Sequence, residues 1–523
     1  MISRMARPSH FAASPLALLA SAVLALLLAM PAAAETPVPA AAAPAAPEAP
    51  VTASPALLDS VDALFKAEMT GAGIPCAAVA LVKDGEVVYV KGYGEARPGV
   101  AADADTPFYI GSVTKSMTAL GLMTLVDAGK VDLMAPVADY LPDFRMADPR
   151  FRSITVHDLL RQSSGFSTRQ GEAFLGDPGR ITMRDIIGRL ATERLASGPG
   201  SRFEYSNLNY VLAGAVIEAV SGMPYARFMD ERVFAPMGMT RTSASRADAE
   251  RMGLAVGSRG FLGWTIRGNH DYPEGMVPGG YVASSVRDMA AYMAFMQKGG
   301  VTAGGARLIS PGSFERMTTR QSATGAAYGY GWMVSPEAID HLGEVAGFLT
   351  EVVALRDGSG WGWVVLVGRS DALWGTFLHS SVWRIEAGLD RLLRPGRSPL
   401  PPPGPLRMGT YRLVMGFIAA LVIGLLALSC LGPLSLRRRS GRDAGRSGPH
   451  PRAVAGAFAL HLVLPLAVLG IFPLVLGRPW ALILSFALDF ALLCLVLAAG
   501  EFLIGAVKVG LVLSRVKRSR RAA

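Results

Sequence analysis

Cysteine and histidine are scarce in this chain of 523 residues, which has three of the first and seven of the second. None of them follows the spacing of metal ligands. Cys430 and Cys494 lie in apolar runs near the C-terminus, so Cys76 has no cysteine partner within the central part of the chain. The sequence therefore predicts no disulfide in that part, no metal site and no cofactor.

The chain also lacks a patch of basic residues interleaved with aromatic ones, which is typical of nucleic-acid-binding surfaces. Its formal net charge of +10 comes from the two ends, chiefly from the lysines and arginines that follow Pro405, whereas residues 35–406 are mildly acidic. Positive charge concentrated at the two ends of the chain indicates segments that flank a membrane. We expect no nucleic-acid partner.

The N-terminus has the features of an export signal. Basic residues precede an apolar run, Leu16–Met30, and the alanines at 32–34 offer a cleavage site. We therefore expect a signal peptide over residues 1–34, with an uncleaved anchor as the alternative, and export of the domain that follows. Residues 35–56, which are rich in alanine and proline, are expected to form a linker.

Residues 57–393 show the patterns of a globular domain. Asp84-Gly85 between two strand-like runs predicts a hairpin, a second strand-rich stretch lies near the end of the domain, and helical and loop patterns fill 131–310. This order predicts an α/β (α+β) domain, in which one sheet is assembled from distant segments and carries an inserted helical region. The predicted helices are 57–69, 207–221 and 371–393, and the predicted strands are 77–83, 86–92, 330–334, 341–343, 349–355 and 361–367.

The C-terminal part is predicted to lie in a membrane. A proline-rich spacer, residues 394–412, leads to a transmembrane region, residues 413–523, that ends in a basic tail. Both this tail and the arginine-rich loop 437–452 belong in the cytoplasm by the positive-inside rule. We expect a multi-pass protein of the bacterial inner membrane, with the preceding domain on the periplasmic side. The predicted spans are 413–436, 453–476 and 481–503.

Three ionisable residues, His461, Asp489 and Glu501, fall in or near these spans. Such residues form either a polar pathway or contacts that pack helices and place their ends. The sequence favours the second interpretation.

A motif that could carry chemistry lies at the start of a predicted helix that ends near Gly129. In this helix Ser112 and Lys115 lie one turn apart on the same face. The serine is also at the positive end of the helix dipole, which favours an alkoxide or oxyanion. One interpretation is a serine nucleophile beside a lysine. The other is an N-cap serine with a solvated lysine, because Ser-x-x-Lys is a common pattern.

Two further segments have residues suited to the same chemistry. Tyr205 would take or relay the serine proton, since a nearby lysine cation favours its phenolate, and Asn207 would donate to a substrate carbonyl and hold the lysine. His341 would donate toward a substrate oxygen, and Gly343, on the same predicted strand, would let a substrate backbone approach the strand edge. An ordinary surface loop and a structural histidine are the alternatives.

These motifs, in this order, resemble the active site of the serine β-lactamase and penicillin-binding-protein superfamily, in the form of its class C branch. The resembling motifs are Ser112-x-x-Lys115, Tyr205-x-Asn207 and His341-x-Gly343. Further similar stretches are 155–165, 205–222 with 234–239, and 278–284. The resemblance covers residues 57–393 and implies a β-lactamase/transpeptidase-like fold, with an antiparallel sheet flanked by helices.

The resemblance implies a role for each residue of the first two motifs. Ser112 would be the acylated nucleophile, and Lys115 and Tyr205 would share general acid/base duty. Asn207 would orient both the substrate and Lys115.

On the substrate side, the resemblance implies an oxyanion hole made by the backbone N–H groups of Ser112 and of Glu344, which follows Gly343. His341 would replace the lysine of the β-lactamase Lys-Thr-Gly motif, which removes a cation for the substrate carboxylate and disfavours β-lactam hydrolysis. The carboxylate of Glu344 would be unhelpful there unless it points away or binds a cationic group. Gln170 is a further candidate for substrate contact.

The order of domains offers a narrower resemblance. An exported domain of this type with three C-terminal spans is similar to the membrane-anchored peptidases that remove an N-acyl-D-amino-acid motif from non-ribosomal peptide products. The sequence thus predicts a membrane-embedded serine hydrolase of small molecules or peptides, foremost a peptidase or amidase for peptides that contain D-amino acids. The alternatives are an esterase or a β-lactamase, and, in another class, a non-catalytic penicillin-binding-like sensor.

Overall fold

The structure is a computed structural model of the chain. It describes residues 53–175, 181–268, 272–321, 326–370, 381–394, 408–440, 461–471, 473–474, 480, 483–484 and 487–522. The described residues belong to one compact unit. The predicted signal peptide, most of the linker and of the proline-rich spacer, and the first part of the second predicted span lie outside them.

Twelve strands are numbered here in chain order. They are β1 Cys76–Lys83, β2 Glu86–Arg97, β3 Val100–Ala101, β4 Pro107–Tyr109, β5 Thr242–Ser243, β6 Ser258–Phe261, β7 Trp264–Arg267, β8 Ala283–Ser285, β9 Met333–Val334, β10 Ala338–Val345, β11 Phe348–Leu355 and β12 Trp361–Val367.

The α-helices are numbered in the same way. They are α1 Pro55–Ala72, α2 Thr114–Asp127, α3 Val137–Tyr140, α4 Val156–Leu160, α5 Thr168–Glu172, α6 Met183–Arg189, α7 Asn207–Ser221, α8 Tyr225–Met229, α9 Arg246–Arg251, α10 Val277–Gly280, α11 Val286–Gln297, α12 Pro311–Thr318, α13 Ser381–Leu393, α14 Met408–Ser440 and α15 Leu488–Ala522.

A seven-stranded sheet forms the centre of the domain, with the strand order β3-β2-β1-β12-β11-β10-β9. Its strands pair antiparallel throughout. The first strand of the domain lies beside the last one, with Val79 opposite Val365. The prediction of one antiparallel sheet assembled from distant segments is therefore confirmed.

The two faces of the sheet bury different layers, because side chains alternate along each strand. On β1, Val79 and Leu81 belong to the cluster under helices α1 and α13. Their neighbours Ala80 and Val82 belong to the larger cluster that includes helices α2, α7 and α11. The inserted helical region thus covers one face of the sheet, and the strand that carries His341 faces it.

Several predicted boundaries are wrong. Helix α1 begins at Pro55, inside the predicted linker, because Ser54 caps it and proline suits the first helical position. Helix α14 begins at Met408, inside the predicted spacer. The region 131–310 contains short strands, and the strand predicted at 330–334 is only Met333–Val334, since two to four residues are too few to show a period of two.

Two described helices, α14 and α15, are long and apolar enough to cross a membrane, over Tyr411–Cys430 and Leu488–Leu511. The described part of the second predicted span contains a shorter apolar helix, His461–Gly470. The described residues therefore contain two such helices and not the predicted three.

Helices α14 and α15 run in the same direction. Near their N-terminal ends the Tyr411 hydroxyl donates to Asp489, and farther along Ser429 Oγ donates to Glu501 Oε1 at 2.6 Å. Glu501 also pairs with His461, at 2.6 Å. The three ionisable residues predicted in the spans thus connect helices, in agreement with the packing interpretation.

Candidate active site

Ser112 lies in a single 3₁₀ turn, Gly111–Val113, between strand β4 and helix α2. This turn lies against strand β10. A Cβ on Gly111 would lie 2.3 Å from the backbone nitrogen of Glu344, and a Cβ on Gly343 would lie 3.0 Å from the backbone nitrogen of Ser112. The two backbone N–H groups expected to form an oxyanion hole are therefore brought together, and glycine is required on both sides of the contact.

The amine of Lys115 is fully buried next to the serine. Its Nζ lies 2.9 Å from Ser112 Oγ and 2.7 Å from Asn207 Oδ1, and it also contacts the backbone carbonyl of Gly279. Three segments that are distant in sequence thus converge on one nitrogen.

Burial lowers the pKa of Lys115 well below its ordinary value, which favours the uncharged amine. A neutral amine has two N–H donors and one lone pair. The carbonyl oxygens of Asn207 and Gly279 can only accept hydrogen bonds, so the two N–H groups donate to them. In the uncharged form the lone pair of Lys115 is left to face Ser112 Oγ, 2.9 Å away, and can accept from its hydroxyl. This geometry suits removal of the serine proton by the lysine.

Tyr205 lies on the other side of the lysine, with Nζ 4.9 Å from the centroid of its ring. Burial and the neighbouring Tyr328 raise the pKa of Tyr205 well above its ordinary value, and a hydrogen bond with Ser112 only partly opposes this shift. The phenolate expected from the sequence is therefore disfavoured in the free protein, because burial of Tyr205 penalises its charged form. Tyr205 is a phenol that can donate a proton.

His341 is buried between aromatic rings, with its ring centroid 6.2 Å from that of Tyr328 and 6.4 Å from that of Tyr205. Its Nδ1 lies 2.7 Å from the carbonyl oxygen of Leu342, which can only accept, so Nδ1 carries a proton. Burial lowers its pKa to about 3, which keeps the ring neutral. Nε2, buried and without a partner in the structure, is therefore an acceptor and not the donor expected from the sequence.

Comparisons with known proteins agree with this geometry. The model of the Beta-lactamase family matches residues 61–374, more than half of the chain. The chain belongs to the β-lactamase family. Protein flp of Staphylococcus aureus (strain NCTC 8325 / PS 47) is 26% identical to it over 238 residues, which are 45% of this chain and 48% of flp. The chain therefore spans about half the length of this curated relative.

Solved structures of two other proteins are similar to this member of the β-lactamase family. The octameric penicillin-binding protein homologue from Pyrococcus abyssi has a TM-score of 0.51 and 27% identity, over 60% of this chain and 73% of its own. The D-amino acid amidase from Ochrobactrum anthropi SV3, in complex with D-phenylalanine, has a TM-score of 0.54 and 22% identity, over 65% of this chain and 98% of its own. The second likeness concerns the fold alone.

For Glu344 the backbone N–H lies at this β-lactamase-family site as expected, whereas the side chain of Gln170 is engaged elsewhere. The side chain of Glu344 lies on the face of strand β10 opposite to the face that carries His341, because side chains alternate along the strand. Only its backbone N–H faces the serine. Gln170 caps helix α5: its Oε1 accepts from Ser167, and its Nε2 donates to Glu193 Oε2 at 2.8 Å. Its side chain is committed to the loop and not to the site.

The sequence did not point to two positioning groups of the site. Gln162, with a positive φ of 62°, is buried, and its Oε1 accepts from Ser206 N at 3.0 Å and from Asn209 Nδ2. It thereby fixes the turn between Tyr205 and Asn207. The second group is the carbonyl of Gly279. Both residues lie in stretches that carried the family resemblance, and this was the feature of the sequence that could have identified them. Neither has a side chain that suggests chemistry by itself.

No group of three or more His, Cys, Asp or Glu side chains is arranged to hold a metal ion in the part of the chain that the structure describes.

Proposed function

We propose that the chain is a serine hydrolase that acts through an acyl-enzyme on Ser112. The buried amine of Lys115 at 2.9 Å from Ser112 Oγ carries the proposal. It removes the hydroxyl proton as Oγ attacks the substrate carbonyl carbon. The oxyanion that develops accepts hydrogen bonds from the backbone N–H groups of Ser112 and Glu344.

Collapse of the tetrahedral intermediate requires a proton on the leaving group. Tyr205 is a phenol beside Ser112 and supplies that proton, and Lys115 returns its own to the phenolate. Water then attacks the acyl-enzyme by the same route in reverse. The amide NH₂ group of Asn207 is turned from Lys115, because Oδ1 accepts from the lysine, and it donates to a substrate carbonyl.

The substrate proposed is an amide or peptide that contains a D-amino acid. Because His341 is neutral, it supplies no positive charge for the carboxylate of a β-lactam. The Tyr205-x-Asn207 motif supports placement in the class C-like branch. A solved structure of the same fold is a D-amino acid amidase. An esterase ranks next and a β-lactamase third, since the neutral His341 takes the place of the lysine in the β-lactamase motif.

We further propose three membrane spans, with the catalytic domain on the periplasmic side after export by the signal peptide. The parallel direction of α14 and α15 supports this topology. Because both N-terminal ends lie on one side, the chain between them must cross back once. The basic tail after α15 then lies on the opposite, cytoplasmic side. A reporter fused after Ala523 should behave as cytoplasmic, and a periplasmic signal would exclude three spans.

The experiment that tests the activity is intact-protein mass spectrometry of the full chain in detergent after exposure to a fluorophosphonate. We expect one adduct on the wild type and none on Ser112→Ala, with equal circular dichroism for both. Hydrolysis of D-amino-acid amides, their L-enantiomers and a penicillin is then compared. Absence of an adduct on folded wild type would reject the hydrolase in favour of the sensor, and preference for the penicillin would reject the substrate class.

A further inference from the structure

The hairpin of strands β6 and β7 presents an apolar face to solvent. It is a separate two-stranded sheet whose turn has positive φ at Leu262 and Gly263, 49° and 82°. Trp264 is 63% exposed and Ile266 is 38% exposed. Two residues apart on one strand, they project from the same face of the hairpin.

The tip of this hairpin is bound to the N-terminal ends of both long apolar helices. Leu262 N donates to Asp489 Oδ2 at 2.9 Å, and Arg412 Nε donates to the carbonyl of Gly263 at 2.9 Å. The Arg412 guanidinium also lies 4.5 Å from the Trp264 ring centroid. Asp489 is the second residue of α15, and Arg412 is near the start of α14.

These contacts fix the level of the hairpin relative to a bilayer. The apolar stretch of α14 begins at Tyr411, so the boundary between hydrocarbon and headgroups passes close to Arg412, which holds the hairpin tip. An exposed tryptophan stacked under an arginine at that level is the arrangement of an interfacial anchor, since indole favours the headgroup region and a guanidinium pairs with phosphate.

We propose that the β6–β7 hairpin is a membrane anchor of the catalytic domain, which seats Trp264 and Ile266 in the headgroup region of the periplasmic leaflet. The proposal rests on the membrane topology proposed above. The partner proposed for the exposed face of the hairpin is the lipid surface, because this face adjoins the contact between the hairpin and helices α14 and α15.

The hairpin also connects this surface to the active-site strand. Ser258, the first residue of β6, donates from its backbone nitrogen to the carbonyl of Gly347 at 3.2 Å. Gly347 N in turn donates to Ser370 Oγ at 2.8 Å. Gly347 forms the turn that follows Glu344 on β10, whose N–H belongs to the oxyanion hole. An anchored hairpin thus fixes the orientation of the active site relative to the bilayer.

The test uses the full chain in lipid vesicles. Trp264→Cys is labelled with an environment-sensitive fluorophore, in a background where Cys430 and Cys494 are serine; Cys76 is buried. Met134→Cys is the matched control, because Met134 is also exposed, at 64%, but lies in the loop between α2 and α3. We expect a blue-shifted emission that is quenched by lipids brominated near the headgroup at position 264, and neither effect at position 134.

Ile266→Cys provides a second position if Trp264→Cys does not fold, as judged by fluorophosphonate labelling of Ser112. Equal emission and quenching at the hairpin and control positions would overturn the anchor. Alkaline carbonate extraction separates the two proposals: a protein that washes off the vesicles refutes the spans and the anchor together. A protein that stays in the pellet without quenching at 264 and 266 refutes the anchor alone.

Discussion

Replacing Asn207 by aspartate tests whether Lys115 is a neutral base. The substitution keeps the shape of the side chain and puts a carboxylate oxygen at the place of Oδ1, 2.7 Å from Lys115 Nζ. At an effective dielectric constant of about 20, two unit charges at this distance attract by about 6 kcal/mol, on the order of four pK units. This attraction offsets the burial that lowers the lysine pKa, so the lysine regains its proton.

A protonated Lys115 cannot accept the proton of Ser112. We therefore expect acylation of Asn207→Asp at neutral pH to fall by about 10²-fold to 10⁴-fold, with activity returning as the pH rises. The assay is the rate of fluorophosphonate labelling of the full chain in detergent, measured from about pH 6 to about pH 10.

Asn207→Ala is the matched control, because it removes the contact with Lys115 without adding a charge. It should lower the rate without moving the pH profile upward. If Asn207→Asp keeps the wild-type rate and profile, then the protonation state of Lys115 does not govern acylation, and the assignment of this residue as the base is refuted.

Three further substitutions test other parts of the structure. Gly343→Ala should lower acylation by about 10²-fold to 10³-fold, because its Cβ would lie 2.0 Å from the Ile110 carbonyl and displace the oxyanion strand. Tyr205→Phe should lower hydrolysis by about 10²-fold, measured as turnover of a D-amino-acid amide. Glu351→Gln should remove a pH dependence of stability. Burial and Glu386 raise the pKa of Glu351 well above its ordinary value. At each pH above that ordinary pKa, the free energy of unfolding of the wild type therefore falls by about 1.4 kcal/mol per pH unit, until the carboxyl ionises in the folded state.

Each of these has a control and a contradicting result. Gly280→Ala, whose Cβ would have no neighbour closer than 3.8 Å, should keep its activity; an equal loss at both glycines would remove the steric argument. A near-normal rate for Tyr205→Phe would leave the proton transfers to Lys115 alone. Denaturant unfolding of Glu351→Gln is compared with that of Glu315→Gln on the exposed surface of α12. Parallel pH curves for the two variants would show that Glu351 does not titrate as proposed.

Local patterns were sufficient where the chemistry depends on one element. The spacing of Ser112 and Lys115 on one helical turn, and the placement of His341 and Gly343 on a strand, follow from the periods of helix and strand. The structure confirms both placements. The Asp84-Gly85 hairpin was predicted in the same way, because two strand-like runs flank a strong turn signal. The antiparallel pairing of the sheet was implied by the family resemblance.

The errors concern groups whose state depends on what surrounds them. The phenolate of Tyr205 was expected to be favoured, but burial of this side chain raises its pKa well above the ordinary value. His341 was expected to donate a hydrogen bond to substrate, but its Nδ1–H already donates to the carbonyl of Leu342, which leaves Nε2 as an acceptor. Gln170 was placed near substrate, although a capping box uses its side chain.

The sequence by itself determined the residue types, their order and the elements on which they lie, since these depend on neighbours a few positions apart along the chain. The tertiary structure decided which groups of the site donate hydrogen bonds and which accept them. The carbonyl of Gly279 is 164 residues from Lys115, and desolvation of the amine results from packing of α2 against α7 and α10. Burial and the convergence of distant acceptors are properties of the folded chain, and they make Lys115 a base and His341 an acceptor.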